Sequence, residues 1–123
     1  MATIMKNLTI ETALSLFESY AIKQNEYSYL QVNSSKANYF FDKLHEIVNW
    51  MKENGHLDSL TNYYSHPNIA VRSWAACYLL PLHEKESLEV LEEIVKMKVP
   101  DSFDAQMTIK EWKNGNLKNF YTL

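Results

Sequence analysis

Apolar positions along this chain recur at steps of three and four and rarely alternate. Ile10, Ala13, Leu14, Phe17 and Ala21 make one such stripe, with Glu11, Thr12, Ser15, Glu18 and Ser19 on the other side, which predicts an amphipathic helix over 10–23. Thr9 is placed to cap it, because its hydroxyl can accept a first-turn N–H that no carbonyl precedes, and Glu11 sits where the helix dipole favours an anion. Residues 24–35 lose the period, so an ordered loop with a short turn is expected there, with Tyr27, Tyr29 and Leu30 tucked against the body.

The period returns after Ser35. Phe40, Phe41, Leu44, Ile47, Val48 and Met51 form the buried stripe of a second helix ending near Asn54, with Ala37 at its entry. Asp42, Lys43, Glu46, Asn49, Lys52 and Glu53 form its wet side, and Trp50, off the stripe, is expected to pack on a neighbouring helix. Gly55 falls where a left-handed residue ends a helix. Leu57, Leu60 and Tyr64 share one side of a shorter helical segment.

Residues 65–97 read as a helical hairpin hinged at Pro81. Ser65 or His66 is the expected cap, with Pro67 at the first helical position, where its missing N–H has no partner to lose. Residues 69–80 are apolar nearly all round, which predicts a sandwiched helix. Its small residues Ala70, Ala75 and Ala76 permit close approach, and Cys77 reads as a small buried hydrophobe. Pro81 ends the helix by steric clash and loss of a donor. A partner helix over 84–97 then turns Leu88, Leu91, Ile94 and Val95 inward. A last helix opens with Pro100 and Asp101, carries Phe103, Met107, Ile109, Lys110 and Trp112, and stops at Gly115. The tail is expected to dock through Leu117 and Phe120 and to fray at its end.

Pro67 and Pro100 stand 33 positions apart, and aligning them sets Trp74 over Met107, Ala76 over Ile109 and Leu79 over Trp112. A short helix pair repeated at that period indicates an α-solenoid. The expectation is an all-α fold, a short HEAT/armadillo-like α-α superhelix of about six helices. It forms one domain, with residues 1–8 and 118–123 as termini. Pro67-Asn68-Ile69-Ala70-Val71-Arg72-Ser73-Trp74-Ala75-Ala76 resembles the opening helix of the HEAT repeat family. The run from Ala37-Asn38 through Leu60, the 66–81 helix, the acidic helix after it and the ending around Trp112 and Gly115 also resemble a narrower group. These are small bacterial proteins catalogued as a domain of unknown function with a HEAT-like fold. The resemblance covers about 8–117. It implies a bacterial source and, because such families often sit beside polymorphic toxins, a toxin-neutralising role. It brings no catalytic residues.

Composition narrows the function. The chain has 123 residues, 46% of them hydrophobic, and a net charge of −3, enough for a core without disulfides. Arg72 is the lone arginine beside eleven lysines, and neither clustered basic groups nor forked guanidinium donors are available for nucleic acid. No apolar run reaches membrane-spanning length and the start lacks a signal-peptide core. One cysteine fits a reducing cytoplasm. His45, His56, His66 and His83 lack metal-ligand spacing. Glu92 and Glu93 point about 100° apart on a helix, so they are no acid–base pair. The chain is therefore read as a non-enzyme without a cofactor, metal, membrane or small-molecule substrate.

What remains is the acidic helix. Residues 84–98 hold five Glu and three Lys, a net −2, and such a surface steers a basic protein, which the resemblance implies is a toxin domain, while the plainer alternative is a solvated helix face. Glu86, Glu89 and Glu93, with Tyr63 and Tyr64, are the candidate partner-binding residues. Arg72, Trp74 and Trp112 are assigned to structure; in HEAT-like stacks an arginine such as Arg72 pairs with carbonyls or an acid of the adjacent unit, here Asp58, Asp101 or Asp104, with a ligand contact as the alternative. The function expected is protein binding, most concretely immunity to a toxin. The rivals are an adaptor or subunit of a larger assembly, and a HEAT-like nucleic-acid-binding domain.

Overall fold

A computed structural model describes residues 7–122, so the expected first terminus lies mostly outside the described residues. Every regular element among them is helical. Contacts divide the chain into two compact units, residues 1–60 and 61–123.

The first unit is a helical hairpin. Helix α1 (Ile10–Asn25) begins where expected, with the Thr9 hydroxyl accepting the Thr12 N–H at 3.2 Å. It buries Ala13, Phe17 and Ala21. Helix α2 (Ser34–Glu53) lays Ala37, Leu44, Ile47, Val48 and Met51 against it. The cap of α2 is Asn33, whose side chain accepts the Lys36 N–H at 3.1 Å. Gly55 ends the helix at φ +73°, and the His56 N–H reaches back to the Met51 carbonyl at 2.7 Å.

Between these helices the structure corrects the expected loop. α1 runs on into a π-helical turn, Glu26–Leu30, leaving only three residues of irregular chain before α2. Its wider winding, with the Gln31 N–H on the Glu26 carbonyl at 2.9 Å, accompanies a parallel stack of Tyr27 on Phe40, centroids 5.7 Å apart. Tyr27 and Tyr29 are half-buried as expected, but Leu30 is 74% exposed. Trp50 stacks on His56, just past the helix end, at 6.0 Å. Lys43 leaves the wet side: its ammonium lies 5.5 Å from the Tyr39 ring centroid and its side chain is 17% exposed.

A 3-10 helix, Leu57–Tyr63, follows, with Leu60 fully buried. The second unit then holds α3 (Ile69–Leu79), α4 (Glu84–Met97), α5 (Pro100–Lys113) and the short α6 (Lys118–Thr122). Its core is Ala76, Leu80, Leu91, Ile94 and Ala105. α4 packs on both α3 and α5, and α3 also meets α5. The α4–α5 corner is clasped by Ser102, whose hydroxyl donates to the Ile94 carbonyl at 2.6 Å and accepts the Val99 N–H at 3.0 Å.

Two punctuation marks differ from expectation. Asn68 caps α3, its Oδ1 accepting from Ala70 and Val71, while His66 Nδ1 accepts the Asn68 N–H at 2.9 Å. Pro67 therefore stands before the cap rather than at the first helical position. Pro100 does open α5, so the two helices start 31 positions apart, at Ile69 and Pro100, and the alignment of Trp74 with Met107 shifts by two residues.

Candidate functional site

α4 is amphipathic in the simplest way. Ser87, Leu91 and Ile94 are fully buried, and Leu88, Val90 and Val95 flank them against the core of the second unit. Burial of that stripe dictates what faces water: Glu86, Glu89 and Glu93, three and four residues apart, are all exposed on one side. The structure thus brings together the three acids singled out from sequence. Glu92, Lys85 and Lys96 are exposed as well. His83, at the cap position, holds Nδ1 3.9 Å from the Glu86 carboxylate.

The two tyrosines divide. Tyr64 is half-buried against the core, and its hydroxyl is 2.7 Å from the hydroxyl of Ser87, which has no exposure at all. That contact uses the Tyr64 hydroxyl to hold α4 down, while the residue stays half-buried. Tyr63 turns its ring edge-on to His66 at 5.4 Å and keeps part of its surface.

The residues assigned to structure serve it in different ways. Trp112 donates from Nε1 to the Glu84 carboxylate at 2.7 Å, tying α5 to the first turn of α4. Trp74 stacks on Tyr78 one helical turn away, at 5.8 Å. Arg72 is half-buried, and its Nε has no hydrogen-bond partner among the described residues, so that nitrogen does not carry the expected pairing with an acid. Partial burial raises the carboxyl of Asp104 from its ordinary value.

Sequence reasoning missed the pairing that closes the second unit. Pro81 has no N–H to give the carbonyl four residues back, which belongs to Cys77. The Leu80 N–H reaches that oxygen only at 3.4 Å, and the Tyr121 hydroxyl donates to it at 2.6 Å. Tyr121 also meets Trp112 edge-on at 5.9 Å, and Phe120 stacks on Tyr78 at 5.1 Å. The orphaned carbonyl was legible from Pro81, but a donor 44 residues away was not. Burial pushes the Cys77 thiol up to about 12, with the Tyr121 hydrogen bond opposing part of the rise. Tyr78 and Tyr121 are raised by the same burial. A thiol held neutral is a poor nucleophile.

No group of three or more His, Cys, Asp or Glu among the described residues could hold a metal ion. The histidines are otherwise engaged: His45 lies against Phe41, His56 against Trp50, and His66 against Tyr63 and the cap of α3. No described helix is long and apolar enough to cross a membrane. The first unit carries a contrasting surface, where the ammoniums of Lys36, Lys23 and Lys43 each sit over one ring of the row Tyr27, Phe40, Tyr39.

The sequence model of a family described as a domain of unknown function (DUF2019) matches residues 11–112. No curated protein matches the chain. Among solved structures it is similar to the crystal structure of the protein RPA1889 from Rhodopseudomonas palustris CGA009. That likeness has 26% identity and a TM-score of 0.84, and covers 93% of this chain and 96% of that one.

Proposed function

This chain belongs to the family described as a domain of unknown function (DUF2019), and we propose that it is a non-catalytic protein-binding module. In its most concrete form it is a bacterial immunity protein that binds a basic toxin domain in the cytoplasm and neutralises it. A HEAT-like stacking of helix pairs belongs to the same reading. The observation that carries it is the exposed stripe of Glu86, Glu89 and Glu93 on a helix whose other face is fully used for packing. Charges held at fixed spacing on a rigid helix steer a basic partner and speed encounter more than they add affinity.

The test is kinetic. Affinity capture with the purified protein yields the partner, and Glu89→Lys with Glu93→Lys is then compared with wild type over a range of salt. Slower association, a flatter salt dependence and an unchanged urea midpoint support the proposal. Equal association rates, or loss of folding, overturn it. A second reading, a subunit of a larger assembly, is favoured by Phe103 and Met107, one turn apart on α5 and 67% and 36% exposed. Size-exclusion chromatography with light scattering separates it: a stable oligomer of this chain supports the second reading.

A further inference from the structure

α6 is only five residues long, too short to persist as a helix without tertiary anchors. Its two anchors are adjacent in sequence. Phe120 lies on the Tyr78 ring, and Tyr121 fills the acceptor that Pro81 leaves open on Cys77 while standing against Trp112. Lys118 and Asn119 are exposed. The chain just before α6 is held separately: Leu117 packs on the core cluster, Gly115 turns at φ +75°, and the Asn116 N–H is bonded to the Glu111 carbonyl at 2.9 Å. A hinge after Leu117 can therefore open without unwinding α5, although it frees the Trp112 ring from Tyr121. Beneath the two anchors sits the chain's single cysteine, half-buried with α6 in place.

We propose that α6 is a releasable strap, closed over the Pro81-broken end of α3 by Phe120 and Tyr121, and that its opening completes the exposure of the half-buried Cys77 while the rest of the second unit stays folded. Opening exchanges the Tyr121 hydrogen bond, the ring contacts of Phe120 and Tyr121 and the packing of Tyr121 on the core cluster for solvent. It exposes little surface, which is the signature of a sub-global opening with weak denaturant dependence.

The test follows alkylation of Cys77 in the full chain by N-ethylmaleimide across a urea series. The expected rate is nearly flat at low urea and joins a steep limb only near the global transition. Tyr121→Phe removes the hydrogen bond and keeps the ring, and it should raise the flat limb roughly five- to tenfold. Phe120→Leu, which keeps apolar bulk and loses the stack on Tyr78, should raise it as well and serves if the first variant folds poorly. Ile94→Val, in the core cluster and outside α6, should lower the global midpoint and leave the flat limb where it is. A steep urea dependence from the lowest concentrations, or a flat limb unmoved by both strap variants, overturns the proposal.

Discussion

At the scale of residues, the second unit rests on a few long-range polar contacts. Tyr64 and Ser87 meet at 2.7 Å where Ser87 has no access to water, so removing either hydroxyl loses that bond. Tyr64→Phe and Ser87→Ala should each lower stability by about 1 kcal/mol in urea unfolding. The double variant should lose less than the sum, since the cycle measures their coupling. The buried thiol and phenols make a pH prediction. Burial raises Cys77 from 9.0 to about 12, so between those values the unfolded chain has released a proton that the folded one keeps. The stability this contributes is complete below about pH 9 and is lost as pH rises towards 12. Tyr78 and Tyr121 act in the same direction from about pH 10 upward. Unfolding midpoints should fall above pH 9, and Cys77→Ala should delay the onset to the tyrosine range. A fall beginning at the same pH in both proteins would remove the thiol from the account.

At the scale of elements, helix ends matter more than helix interiors. α4 stops at Lys98, which adopts φ +55° without being glycine, a conformation that brings its Cβ against its own carbonyl. Lys98→Gly should raise the urea midpoint by an amount equivalent to about 1 kcal/mol. Gly55→Ala should lower it by a similar amount, because φ there is +73° although open space surrounds the site. The same distinction explains what could be read in advance. Thr9, Gly55 and Gly115, and the full span of α4, were legible because caps, left-handed stops and the spacing of Leu88, Leu91, Ile94 and Val95 are local. The cap of α3 was misplaced because Pro67 suits both a first helical turn and the residue before a cap, and Asn68 decides between them only through its side-chain bonds. The π-helical turn was missed because its stabilising stack joins Tyr27 to Phe40 across the hairpin.

At the scale of the whole molecule, a chain of net charge −3 displays three of its fifteen acids in an ordered row on α4 and parks three of its lysines over aromatic rings in the first unit. The acidic row was visible in the sequence because periodicity alone sorts α4 into wet and dry faces. The bond between Tyr64 and Ser87 was not, since it joins residues 23 positions apart. The central claim, that this face restrains a basic toxin, is tested most directly by growth. The product of the adjacent gene is expressed alone and together with this protein, wild type or carrying Glu86→Lys, Glu89→Lys and Glu93→Lys. The account predicts arrest by the neighbour alone, rescue by wild type, and failed rescue by a variant that remains folded. A harmless neighbour, or full rescue by the charge-reversed protein, would contradict it.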